Sequence, residues 1–227
     1  MLPLTSPQRQ APSGVDPAAL LAGWLAETRG GDDLKPRVLR LPDGRVMPLP
    51  VARWAGPADA ADEALLTRAT GPVLDVGCGP GRLTAALHAK GSDVLGLELV
   101  ERIPVLVRGA GAPLLLGDIF GPVPRAGQWR TLLLADGNIG IGGDPVRLLR
   151  RCRDLLTADG KVLCELHPGE QAPVGRVRME GLGTTSAWFP WALLSTDCLP
   201  AAAGAAGFDV IETWSMQGRD FATLVPT

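Results

Sequence analysis

The sequence predicts an α/β protein with a seven-stranded, mostly parallel sheet that has one antiparallel strand and helices on both faces. An N-terminal helix and hairpin extension precedes it. Three observations carry that expectation. From residue 71 onward, short apolar runs alternate with helical patterns, as in a parallel sheet covered on both sides. The last two β-prone runs, Phe208 to Trp214 and Asp220 to Val225, are joined by a loop too short for a parallel return, so they pair antiparallel. Finally, 227 residues with 46% hydrophobic side chains suffice for one domain with a substantial core and an elaborated end.

Residues 1–70 read as the extension. Met1 to Pro17 is rich in Pro and Ser and is expected to be a frayed, disordered tail. Asp16-Pro17 then caps a helix whose Leu20, Leu21, Trp24 and Leu25 share one face and which stops at Gly30-Gly31. Two β-prone runs, Val38 to Leu41 and Arg45 to Leu49, flank Asp43-Gly44 as a hairpin. A second helix is expected over Pro57 to Arg68.

Residues 71–227 carry the βα rhythm. Val73 to Val76 is a strand, Leu83 to Lys90 a helix, Asp93 to Leu97 a second strand and Val100 to Arg108 a helix. Pro113 to Leu116 and Arg130 to Ala135 are the third and fourth strands. Asp144 caps the next helix, in which Val146, Leu148, Leu149, Cys152, Leu155 and Leu156 form an apolar face. Arg147, Arg150, Arg151 and Arg153 fall on its opposite, solvated side. Lys161 to Leu166 is the fifth strand, and Thr196 to Gly207 the last helix. Residues 168–194 show no clear period.

Charge narrows the partners. With 22 basic and 24 acidic side chains, the net charge of −2 argues against a nucleic-acid binder. Cys78, Cys152, Cys164 and Cys198 form no C-x-x-C pair, and there are only two His, so no metal site is expected. No apolar run reaches membrane-spanning length and no signal peptide is evident. The expectation is a soluble, cytoplasmic protein with reduced thiols and no membrane contact.

The chemistry is concentrated in Val73-Leu74-Asp75-Val76-Gly77-Cys78-Gly79-Pro80-Gly81-Arg82. A strand enters a turn with Gly at alternate positions, and a helix follows. Such glycines let backbone approach a ligand, and the helix N-terminus offers free N–H groups. The dinucleotide fingerprint would need Gly at position 82, which is Arg, so an NAD site is disfavoured. An acid at the strand end, Asp75, suits a cationic ligand better than a pyrophosphate.

The pattern Asp75-x-Gly77-x-Gly79-x-Gly81 resembles motif I of the class I S-adenosylmethionine-dependent methyltransferases. Glu98 ends the second strand, Gly117-Asp118-Ile119 the third and Asp136-Gly137-Asn138 the fourth, as in that family. The resemblance implies a Rossmann-like methyltransferase domain over 71–227 and S-adenosyl-L-methionine as cofactor. It implies cofactor contacts at Asp75, Gly77, Cys78, Gly79, Gly81, Glu98, Leu99, Asp118, Ile119, Asp136 and Gly137. Glu98 would take the ribose hydroxyls and Asp118 the adenine amino group. It covers residues 71–166 firmly and the closing hairpin loosely.

Asp136 and His167 are the candidate general bases, each at the carboxyl end of a strand. The loop Gly137-Asn138-Ile139-Gly140-Ile141-Gly142-Gly143 stands where enzymes methylating nucleobase or glutamine amino groups carry Asn-Pro-Pro-aromatic, which lowers those substrate classes. Trp188 and Trp191 make 168–194 the candidate acceptor lid. The hairpin and Trp24 either close the other side of the pocket or form a homodimer contact. The leading expectation is methyl transfer to an oxygen or nitrogen of a small-molecule acceptor. An RNA or protein acceptor, or a non-catalytic methyltransferase-like binding protein, are the alternatives.

Overall fold

Strands with almost nothing polar between their apolar residues lie at the centre of the fold. The computed structural model describes residues 14–28, 36–103, 111–168 and 174–227. Every residue of β3 (Val73–Val76) is buried, as is all of β6 (Trp129–Leu134) except Arg130. Continuous burial of this kind requires cover on both faces. With β4 (Val94–Glu98), β5 (Leu114–Leu116), β7 (Leu156–Leu166), β11 (Phe208–Met216) and β12 (Arg219–Pro226), they form a sheet ordered β11-β12-β7-β6-β3-β4-β5. Strands β7, β6, β3, β4 and β5 run parallel, while β12 is antiparallel to both β7 and β11.

The chain moves from β3 out to β5 and then returns to the other side of β3 with β6. The carboxyl ends of β3 and β6 therefore border the crevice where open α/β sheets bind ligands. Helices α3 (Ala60–Leu66) and α4 (Arg82–Ala89) cover one face, packing Leu65 and Leu87 against Leu133 and Phe221. Helices α5 (Pro145–Leu155) and α6 (Leu199–Ala206) cover the other, where Leu148, Cys152 and Ala203 join Leu132 and Phe208.

Local chemistry sets the boundaries. Asp59 accepts from the Asp62 backbone N–H while the Asp62 carboxylate accepts from that of Asp59, a capping box that starts α3 three residues later than the expected Pro57. Helix α6 likewise begins at Leu199 rather than Thr196. The α5 arginines do more than face solvent. Arg151 donates to the Ile119 and Gly121 carbonyls, Arg150 to that of Ala205, and Arg147 lies 4.0 Å over the Phe120 ring.

The principal departure from the sequence reading is a second sheet. The hairpin β1 (Arg37–Arg40) and β2 (Val46–Pro48) joins β8 (Val174–Gly181), β9 (Thr184–Thr185) and β10 (Phe189–Ala192) in an antiparallel sheet ordered β10-β8-β1-β2, with β9 on β8. Helix α1 (Pro17–Thr28) and a short helix α2 (Val51–Ala55) pack on it through Trp24, Leu25, Val51, Val177 and Met179. The extension and the segment of no clear period thus share one layer. Among the β8 residues whose burial is described, only Val177 and Met179 are buried, and the charged Arg176, Arg178 and Glu180 alternate with them, too few apolar positions to reveal the strand.

Residues 1–13 of the expected frayed tail, the stop at Gly30-Gly31 and residues 104–108 of the expected Val100 to Arg108 helix lie outside the described residues. Val15, by contrast, is not frayed: its N–H donates to the Thr185 carbonyl and its carbonyl accepts from the Ala187 N–H. Val100 to Ile103 themselves form a turn. Among the described residues no helix is long and apolar enough to cross a membrane.

Candidate functional site

The turn after β3 is held open by its own backbone. Gly77, Gly79 and Gly81 all have positive φ, at 69°, 55° and 87°, a region that side chains make costly. Gly77 and Cys78 both donate their N–H to the Leu97 carbonyl, which fixes the turn to β4. The Asn138 amide closes it from the other side, donating to the carbonyls of Val76 at 2.8 Å and Gly77 at 2.9 Å. A Cβ on Gly77 would lie 2.8 Å from Asn138 Nδ2, whereas one on Gly79 would meet nothing within 4 Å.

Two buried carboxylates stand beside this turn. Asp75 accepts from Thr84 Oγ1 at 2.6 Å. Burial pushes its pKa up to about 7 against that hydrogen bond, and the charges of Asp136 and Glu98 push the same way. Glu98 accepts from Gly79 N–H at 2.9 Å and from Val100 N–H at 2.8 Å. Burial raises its pKa too, opposed by those backbone donors. Burial, then the charges of Asp75 and Glu98, raise the Cys78 thiol, which therefore stays protonated. At the end of β5, Asp118 is exposed and accepts from Phe120 N–H at 2.9 Å.

Behind the end of β6 lies a network of three guanidiniums and four carboxylates. Asp136 has φ 54°, in the left-handed region, and its N–H donates to Glu165 Oε2 at 2.7 Å. Arg53 donates to Asp136 Oδ1 at 2.9 Å, and Arg82 to its Oδ2 at 2.5 Å. Arg82 also pairs with the fully buried Asp62. Arg219 forms a two-pronged pair with Glu165 at 2.8 and 2.7 Å and reaches Asp62 at 2.9 Å and Asp59 at 3.2 Å. Burial works against the Arg219 charge, but Glu165, Asp136 and Asp59 outweigh it and raise its pKa. Removing one member of such a buried set strands the others, so the network fixes the end of β6 rigidly.

Asp75, Glu98, Asp118, Arg82 and Asp136 border a cavity of about 440 Å³, within the range of small-ligand sites. Asp75, Gly77, Cys78, Gly79, Glu98, Leu99, Asp118, Ile119 and Asp136 of the candidate residues line it, as does Trp191. Gly81 and Gly137 do not; they serve as left-handed residues entering α4 and the turn Asn138–Gly140. His167 is also off the cavity wall. It is half-buried, its backbone N–H donates to the Leu194 carbonyl, and burial lowers the pKa of its imidazole. Trp188 turns away as well, with the Arg178 guanidinium 5.0 Å over its ring. It precedes β10, within which Trp191 and Phe189 share a face and meet edge-on at 6.2 Å.

Of the wall opposite the glycine turn, the sequence reading offered the hairpin and Trp24 as one of two alternatives. Leu39 and Leu49 of the hairpin line the cavity, Trp24 does not, and the residues of α1, α2 and β8 were not read as wall. Leu21 and Leu25 of α1, Leu39 of β1, Leu49, Trp54 of α2 and Met179 of β8 all face the cavity. Their apolar periodicity was legible in the hairpin, but nothing local shows what lies against it. Arg53 carries no motif at all and matters only through its long-range bond to Asp136.

With this geometry in view, comparison with solved structures is informative about the fold. The chain is similar to a SAM-dependent methyltransferase from Bacteroides fragilis in complex with S-adenosyl-L-homocysteine, at 20% identity and TM-score 0.73, over 96% of this chain and 97% of that one. It is also similar to the Burkholderia thailandensis 1,6-didemethyltoxoflavin-N1-methyltransferase, at 17% identity and TM-score 0.62, over 100% and 93%. The glycopeptide N-methyltransferase MtfA complexed with S-adenosyl-L-methionine matches at 21% identity and TM-score 0.56, over 74% and 93%. The fold is thus that of S-adenosylmethionine-dependent methyltransferases. No protein-family model and no curated sequence relative matches the chain.

Proposed function

We propose that this chain is a methyltransferase that moves the methyl group of S-adenosylmethionine to a nitrogen or oxygen of a small-molecule acceptor. The observation that carries the reading is convergence: Asp75, the Gly77–Gly79 turn, Glu98 and Asp118 come from three separate strand ends and line one cavity.

The residues present fit that cofactor. Four carboxylates and one guanidinium (Asp75, Glu98, Asp118, Asp136 and Arg82) face the cavity, a balance that suits a cation and disfavours a pyrophosphate. Gly79 leaves open space where a side chain would intrude. Leu99 is 68% exposed, an apolar surface ready to be covered by an adenine ring. Glu98 would accept from the ribose hydroxyls and Asp118 from the adenine amino group, with Leu99 and Ile119 against the ring. The cofactor supplies an activated sulfonium methyl. The protein must hold the acceptor in line with it and keep water out. Asp136 is committed to two arginines and fixes the strand end, and His167 has no part in this reading.

Two of the similar structures are N-methyltransferases, one of 1,6-didemethyltoxoflavin and one of glycopeptide, which favours a small acceptor over RNA. Calorimetric titration of the purified protein with S-adenosylmethionine, S-adenosylhomocysteine and NAD tests the reading. Micromolar binding of the two sulfur compounds without NAD is expected. Binding of NAD alone, or of none of the three, would remove it.

A further inference from the structure

The cavity has two halves of opposite chemistry. Every charged residue in its wall comes from the ends of β3, β4, β5 and β6 or the start of α4. The other half is built by α1, α2 and the second sheet. There the described lining residues, among them Leu21, Leu39, Leu49, Trp54, Met179 and Trp191, carry hydrocarbon, aromatic or thioether side chains whose polar atoms are the two indole N–H groups.

We propose that this apolar half is an acceptor compartment for an uncharged, flat ring compound whose nucleophilic atom already bears a free lone pair at neutral pH. The inference rests on the methyl donor proposed above. A charged or richly hydroxylated acceptor would lose its water there and find only indole N–H groups, such as the buried and unpartnered one of Trp54, in exchange. Trp54, Phe189 and Trp191 present flat faces and edges, which favour a planar occupant.

Asp136, the lining acid bonded to α2, is already engaged. Asp136 gives one oxygen to Arg53 of α2, the neighbour of Trp54, and the other to Arg82. Each of those guanidiniums also has a buried Nε without a hydrogen-bond partner among the described residues. Both oxygens of Asp136 are thus already bonded to guanidinium donors, and the side chains from α1, α2 and the second sheet that line the compartment include no base. An acceptor such as a ring nitrogen has no proton to lose. Its lone pair forms the bond to the methyl carbon while the sulfur–carbon bond breaks and leaves its pair on sulfur. The ring becomes a cationic N-methyl product and the sulfonium a neutral thioether.

The test is calorimetric titration of the full chain, alone and saturated with S-adenosylhomocysteine. The probes are isoquinoline and quinoxaline, set against benzylamine, which is cationic at neutral pH, and glucose. Leu21 and Leu49 are only half-buried, so Leu21→Gln and Leu49→Gln put an amide in the compartment with little threat to folding. At least one of the two rings should bind, at least about tenfold more tightly than benzylamine or glucose. Each variant should weaken that ring about tenfold and leave S-adenosylhomocysteine affinity unchanged. Binding of neither ring, equal binding of benzylamine or glucose, or indifference to both variants would overturn the compartment. If S-adenosylhomocysteine binds and neither ring does, only the acceptor inference falls. If a ring binds with the expected variant effects and S-adenosylhomocysteine does not, the donor reading falls and the compartment stands.

Discussion

Arg53 reaches from α2 to Asp136 at the end of β6, 2.9 Å from guanidinium to carboxylate, and so ties the N-terminal layer to the central sheet. The bond joins residues 83 positions apart and is partly shielded, with Arg53 27% and Asp136 20% exposed at the side chain. Arg53 is also 3.7 Å from Glu165, so the same guanidinium feels two carboxylates.

Arg53→Ala should therefore cost about 1–2 kcal/mol, more than a surface pair, because Asp136 then keeps only Arg82 at hydrogen-bond distance, with Arg219 at 3.7 Å. For a chain of this size that lowers the melting temperature by about 2–8 °C. Hydrogen exchange should accelerate in α1 and α2 ahead of β3 and β6. A melting curve and exchange pattern unchanged from the natural protein would mean that the apolar contacts of Trp24 and Val51 hold the layer alone.

The two glycines of the turn separate stability from binding. Both have positive φ, so either substitution to alanine carries a backbone cost of about 1–2 kcal/mol. At Gly77 the new methyl also meets Asn138 Nδ2 at 2.8 Å and disturbs the amide that braces Val76 and Gly77. Gly77→Ala should destabilise the protein more than Gly79→Ala. At Gly79 the methyl enters open cavity, so Gly79→Ala should weaken S-adenosylhomocysteine at least about tenfold with the smaller loss of stability. Paired thermal melts and titrations read both effects, and the reverse ordering would contradict this placement of the turn.

That turn was legible in the sequence because strand, glycines and helix are contiguous and the strand is a bare apolar run. Glu98, Asp118 and Asp136 were legible for a related reason: each ends or directly follows a recognisable strand. What the sequence hid depends on distant pairing. Arg37 to Arg40 pair with Arg178 to Gly181, and no local pattern in either strand names the other. The network of Asp62, Arg82, Asp136, Glu165 and Arg219 hid for the opposite reason, since isolated charges in a sequence resemble solvated surface until the fold buries them together. His167 misled because a strand end is necessary but not sufficient for a place in the crevice.

Glu98 does two jobs, and variants can separate them. Its carboxylate receives the Gly79 and Val100 N–H groups and lines the cavity. Glu98→Ala should leave the fold intact and weaken S-adenosylhomocysteine by roughly tenfold to a hundredfold, the scale of a lost hydrogen bond to a charged group. Glu98→Gln keeps one oxygen and should fall between. Unchanged affinity in the alanine variant would mean that Glu98 serves the turn and not the ligand.

Asp75 makes the site sensitive to pH. Its carboxyl has a pKa near 7 in the folded chain, raised chiefly by burial, against about 3.9 in an unfolded one. A carboxyl raised in this way binds its proton more tightly folded than unfolded. Its contribution to stability is complete below about pH 4, falls as the pH rises towards 7, and is constant above that. Asp75→Asn keeps an oxygen for Thr84 and cannot ionise, so the stability difference between variant and natural protein should shift in the variant's favour across that window. Ligand binding should run the other way. A cationic ligand favours the ionised acid, so S-adenosylmethionine should bind more tightly as the pH rises through 7, and below 7 binding should release a proton. Titrations in two buffers of different ionisation enthalpy measure that release. Proton uptake on binding, or the same pH dependence in Asp75→Asn, would show that another group controls the site.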